Sequence, residues 1–147
     1  MHLGNNKWCI IDSCIAKGKA DSVAVEYLEG FNNDALRNVQ LVVATHWHDD
    51  HIGGMASLLS RTPHADFCCS MALQSPEFLT LVSAMPETIA GHSGAAEFAA
   101  ILKELEPRVR RTPIFAVENK QLLSLSGAGG SFPIALESLS PSTGRYS

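Results

Sequence analysis

The chain has no run of the roughly 18 apolar residues that a membrane-crossing helix needs, so no segment reads as a span. Its start, MHLGNNKW, lacks the cationic flank and apolar stretch of a secretory leader, and the cytoplasm is the expected compartment. Cys9, Cys14, Cys68 and Cys69 fall at none of the zinc-type spacings and make no disulfide framework. Buried thiols are expected instead, because a redox role needs exposure and a lowered pKa. Positive charge is in deficit too: 11 Lys and Arg against 15 Asp and Glu give a formal net charge of -4. Charge therefore does not indicate nucleic acid as a partner, and the one basic run, RVRR at 108 to 111, reads as a charged turn. No repeat and no linker long enough to divide domains is present.

What is there suits one domain over residues 1–147: 46% hydrophobic and 18% charged residues, enough chain to bury a core without disulfide or metal staples. KWCIID, 7 to 12, is a short apolar run ended by Asp12 and reads as a buried strand. Ala24, Tyr27, Leu28 and Phe31 then fall at i, i+3, i+4 and i+7, one face of a helix that GFNND stops. VQLVVAT, 39 to 45, is a second buried strand. Strand, helix, strand at this spacing predicts a parallel pair with the helix on one face, and ligands sit at the carboxyl ends of such strands. Asp12 and the residues after Thr45 should thus meet on one rim.

IGGMASLLS reads as a helix entered through two glycines, and ADFCCS as a third strand. Ser75 and Pro76 make an N-cap and first-turn pair for a helix with Phe78, Leu81, Val82 and Met85 on one face. Phe98, Ile101, Leu102 and Leu105 repeat the pattern before Pro107 closes it. TPIFAV, QLLSLS and PIALESL are three brief strands.

The chemistry is concentrated in VVATHWHDDHIGGM, residues 42 to 55, where three histidines and two aspartates occupy His46 to His51. Imidazole and carboxylate are the usual nitrogen and oxygen ligands of zinc and related ions. His46 and His48, at i and i+2 on extended backbone, can reach one ion, and Asp50 with His51 can point at a second. Two-metal sites lower the pKa of a hydroxide held between the ions and clamp the attacked and leaving oxygens. Gly53 and Gly54 let a helix pack closely behind such a loop. The competing reading is a hydrated loop without a role. Three of the chain's six histidines within six positions weigh against it, whereas His2, His64 and His92 stand alone and read as surface or loop residues. Trp47 and Asp49 alternate with the ligands and should face outward or pack under the loop.

THWHDDH followed by IGG resembles the T-H-x-H-x-D-H motif of the metallo-β-lactamase fold superfamily, and KWCIIDS resembles that family's preceding strand. The stretch from THWHDDHIGG to LESLSPST is similar, less specifically, to the metal-hydrolase branch of competence-type DNA-uptake proteins. The resemblance implies an α/β chain carrying the N-terminal half to two thirds of an αββα sandwich. It implies one or two zinc ions, with manganese or iron as alternatives. His46 and His48 would be first-site ligands and Asp50 and His51 second-site ligands. Asp50 would also orient or deprotonate the attacking water, and Asp12 would hold a ligand or the loop in place by its hydrogen bonds. The implied activity is a metal-dependent hydrolase using a zinc-held hydroxide on a phosphodiester, another phosphate ester or some other small molecule.

The family draws further ligands, an aspartate after a late strand and a histidine near the end, from a second half that the sequence does not carry. The expectation is therefore a truncated member, incomplete at its C-terminus and also at its N-terminus. A homo-oligomer or a missing C-terminal half would cover the apolar sheet face left bare. The alternative function is a catalytically incomplete remnant or subunit that acts only by binding metal or a partner.

Overall fold

The computed structural model describes residues 1–16, 21–32, 34–84, 94–110, 112–127 and 133–140. Three β-strands alternate with helices: β1 (Trp8–Ile11), α1 (Val23–Phe31), β2 (Val39–Ala44), α2 (Asp49–Ile52), α3 (Met55–Arg61) and β3 (Asp66–Ser70). There follow α4 (Pro76–Ser83), α5 (Gly94–Leu105), β4 (Ile114–Ala116), β5 (Lys120–Leu125) and β6 (Ile134–Ser138). β1 to β4 form one parallel sheet in sequence order, and β5 and β6 form a separate antiparallel pair. Every parallel step is bridged by helix, as an α/β chain requires.

Period-two alternation assigns the two faces of the parallel sheet, except at the start of β2, where the register shifts between Trp8 and Cys9 and Val39 falls on the same face as Val42. Trp8, Ile10, Val39, Val42, Phe67 and Cys69 face the helices, where they meet Val25, Leu28, Met55, Leu58, Leu59, Phe98 and Ile101. Each of those fully covered Leu, Ile, Met and Phe side chains contributes about 1.5–3 kcal/mol on leaving water. Cys9, Leu41, Cys68 and Ala116 point to the other face, against half-buried Leu122, Leu123, Leu125, Ile134 and Leu136 of the β5–β6 pair. The layers run helix, sheet, sheet, consistent with part of an αββα sandwich. The apolar face that the sequence left bare is partly roofed by the chain's own β5 and β6, although Ile11 stays about half exposed.

Several local expectations need correction. The buried residues of α1 are Val25 and Leu28, while Tyr27 and Phe31, read with Leu28 as one apolar face, are 60% and 53% exposed. The helix docks through a narrow stripe, so apolar spacing alone set its rotation wrongly. The helix expected from IGGMASLLS begins earlier and comes in two pieces. α2 already includes Asp49, Asp50 and His51, and Gly53 and Gly54 form the joint to α3. Gly54 has φ 73°, and a Cβ there would lie 2.7 Å from Ile15 Cδ1; one on Gly53 would lie 2.7 Å from the Asp49 carbonyl. Only glycine fits either place without displacing a neighbour.

RVRR is not simply a solvated turn. Arg108, its side chain 11% exposed, donates to the carbonyls of Thr62 at 3.2 Å and Ala65 at 3.1 Å, and also to Leu59, while Arg110 pairs with Asp66 at 3.0 Å. Cys9, Cys68 and Cys69 are buried, but Cys14 is exposed. Burial pushes the Cys9 and Cys68 thiols up to about 11 and Cys69 up to about 12, the reverse of what a reactive thiol needs. Ser75 caps α4 as predicted, accepting from Phe78 N at 3.2 Å, with Val82 buried and Phe78 half-buried. The Leu81 side chain, Met85 and His92 lie outside the described residues. Among the described residues no helix is long and apolar enough to cross a membrane.

Candidate metal centre

β1 and β2 are parallel neighbours in register, Ile11 beside Val43, so the residues that leave their carboxyl ends emerge side by side. Asp12 N–H donates to the Val43 carbonyl at 2.8 Å, carrying the ladder one residue further. The chain then turns sharply: Asp12 and Cys14 both hold positive φ, 59° and 52°. Ser13 N–H donates to the His51 carbonyl at 2.8 Å, tying that turn to α2.

Within this frame the Asp12 carboxylate is a hub. Its Oδ1 accepts from the Thr45 N–H at 2.8 Å, the Thr45 hydroxyl lies 2.9 Å from Oδ1 and 2.7 Å from Oδ2, and His51 Nδ1 lies 2.8 Å from Oδ2. Burial opposes the Asp12 charge, but the hydrogen bonds from His51 and Thr45 outweigh it and hold the carboxyl below its usual range. The same bond to Asp12 raises the His51 imidazole, and the charges of Asp12 and Asp50 add to the rise against a desolvation that opposes it. Thr45 Oγ1 also meets His46 Nδ1 at 3.0 Å. Thus His46 and His51 each have Nδ1 engaged by an oxygen.

His46, His48 and His51 cluster. The His46 and His51 ring centroids are 5.0 Å apart, and the His46 and His48 rings lie 6.2 Å apart, tilted by 13°. His51 Nε2 faces Asp50 Oδ2 at 3.7 Å. Trp47 tilts against Phe78 of α4 at 5.9 Å and stays 38% exposed. Asp49 is exposed, in the first turn of α2. His2 leans on Trp8 at 4.5 Å and His64 is exposed, both remote in sequence from the cluster.

The family model described as metallo-beta-lactamase superfamily matches residues 3–128. The chain belongs to that superfamily. No curated protein and no solved structure matches it. Superfamily membership makes metal-dependent hydrolysis the general chemistry to test against the residues of this chain.

The donor chemistry fits a divalent cation. Imidazoles whose Nδ1 is held by an oxygen present Nε2 outward, and carboxylate–histidine pairs of this kind orient ligands in metal sites. The donors are nonetheless not gathered into a finished cage: among the described residues no three His, Cys, Asp or Glu side chains form a group that could hold an ion. Sequence reasoning passed over Thr45 as a mere motif letter, although its hydroxyl joins Asp12 to His46. It also missed Glu97, whose carboxylate accepts from Ala56 N–H at 2.8 Å, because nothing local to α5 signals a partner 41 residues away.

Proposed function

We propose that this superfamily chain is a hydrolase whose metal loop uses His46 and His48 for one divalent cation and Asp50 and His51 for a second, zinc before manganese or iron. The observation that carries the reading is the chain of contacts from Asp12 Oδ2 to His51 Nδ1 at 2.8 Å and from Thr45 Oγ1 to His46 Nδ1 at 3.0 Å. It favours the tautomers with a lone pair on Nε2, the form in which imidazole can ligate.

Bound there, such cations would supply Lewis acidity and lower the pKa of a coordinated water. The residues do the rest. Asp12 accepts from His51 Nδ1 and so fixes the ring with its Nε2 turned away from that bond. Thr45 anchors the start of the loop through its N–H and hydroxyl. Asp50, 80% exposed in its side chain and 3.7 Å from His51 Nε2, would accept a proton from an attacking water and orient it. Phosphodiesters or other phosphate esters are the substrate class, through the likeness of THWHDDHIGG and LESLSPST to DNA-uptake hydrolases; the family match itself is to the superfamily alone.

Calorimetry on folded, chelator-stripped chain should record stoichiometric zinc uptake, and turnover of bis(p-nitrophenyl) phosphate should vanish in Asp50→Ala. Failure to take up zinc or manganese sinks the proposal. The second reading, a metal-binding remnant or subunit without catalysis, is favoured by the lack of a finished cage among the described residues. Zinc uptake with no turnover of any phosphate ester would select it.

A further inference from the structure

The joint between α2 and α3 poses a capping problem. Gly54 is the N-cap of α3 and has no side chain to bind the helix's free N–H groups. A capping side chain there would be strained, because φ is 73° and a Cβ would lie 2.7 Å from Ile15 Cδ1. The missing acceptor comes from another helix: Glu97 Oε1 of α5 takes the Ala56 N–H at 2.8 Å. A carboxylate at this place also suits the positive end of the α3 dipole.

One turn earlier on the same face of α5 stands Gly94, where a Cβ would overlap the Trp47 carbonyl. The first turn of α5 therefore meets the histidine loop at Trp47, between His46 and His48, and the start of α3 at Ala56, beyond Asp50 and His51. Phe98, four residues after Gly94, anchors this turn by an edge contact with Phe78 at 5.2 Å and a second ring contact with Phe67 at 6.4 Å. α5 also packs along α2, α3 and α4.

We infer that the first turn of α5 is a clamp that sets the geometry of the metal loop, with Glu97 as its positioning residue. The inference rests on the metal-binding reading above. Glu97 touches no donor. It acts by fixing the start of α3, and through the Gly53–Gly54 joint the orientation of Asp50 and His51 on α2. Asp50 and His51 stand on α2, separated from the start of α3 by the Gly53–Gly54 joint, so a shift of that start reaches them directly.

The test is zinc affinity by competition with a chromophoric chelator, on folded protein, for wild type, Glu97→Ala, Glu97→Gln and Asn32→Ala. Glu97→Gln keeps an oxygen acceptor for Ala56 N–H; Asn32→Ala removes side-chain bonds to Asn6 and Asp34 at the end of α1, as a control for lost stability alone. Glu97→Ala should bind zinc about tenfold more weakly, the low end for loss of support behind metal ligands. Glu97→Gln should stay within about threefold of wild type and Asn32→Ala should be unchanged. Wild-type affinity in Glu97→Ala, or an equal loss in Asn32→Ala, overturns the clamp while leaving the metal centre standing. Absence of zinc binding in wild type defeats the metal centre itself. Should Glu97→Ala fail to fold, Glu97→Asp keeps the charge but withdraws the oxygen from Ala56, and the same criteria apply to it.

Discussion

Asp12→Asn tests the carboxylate–histidine pair with almost no change of shape. If the amide oxygen keeps the Thr45 N–H now held at 2.8 Å, the amide nitrogen faces His51 Nδ1 where Oδ2 stood. The amide then donates to Nδ1 and moves the imidazole proton to Nε2, leaving no lone pair there for a cation. Zinc affinity should fall 10- to 100-fold, about 1.4–2.7 kcal/mol. The metal-free fold should lose only about 1 kcal/mol, because the bonds to Thr45 survive in part and Thr45 is open to water.

The pH dependence follows from the two shifts. Asp12 is lowered, so its contribution is present above the unfolded carboxyl value of 3.8 and is lost as pH falls through the lower folded value. His51 is raised, so its contribution is complete below 6.5 and is lost as pH rises through the higher folded value. The wild-type advantage over Asp12→Asn in metal-free urea unfolding should be widest between about pH 4 and 6.5 and should shrink on both sides. Competition titrations and unfolding curves measure the two effects separately. Unchanged zinc affinity in Asp12→Asn, or a stability gap that grows toward pH 9, would refute the reasoning.

Iodoacetamide on the folded chain should modify Cys14 alone, slowly, since burial and the charges of Asp12 and Asp50 raise its pKa; labelling of Cys68 or Cys69 before unfolding would contradict their burial. Gly54→Ala must hold a left-handed backbone and meet Ile15, and should cost at least about 1–2 kcal/mol in chemical unfolding, with a wild-type midpoint as the disproof. Arg108→Ala strips donors from the carbonyls of Leu59, Thr62 and Ala65 at the end of α3. It should lower stability by about 2–4 kcal/mol and speed amide exchange around Arg61 and Thr62, whereas a loss below about 0.5 kcal/mol would assign Arg108 to a solvated surface.

The sequence by itself determined most of the strands and helices and the stretch where candidate donors gather. Short apolar runs bounded by turn residues read as strands, the Ser75–Pro76 pair read as a helix start, and the bunching of His46, His48, Asp50 and His51 behind a strand marked the stretch to test for metal, because these signals are local. What needed the tertiary structure were relations between distant segments. The exposure of Tyr27 and Phe31 depends on what α1 packs against; the partial roof over Cys9, Leu41 and Cys68 depends on where β5 and β6 return. Spacing within a helix gives a stripe but not the neighbour that will cover it. The contacts of Asp12 with His51, 39 residues on, and of Glu97 with Ala56, 41 residues back, exist only once parallel strands bring two carboxyl ends to one rim and α5 lies along α3.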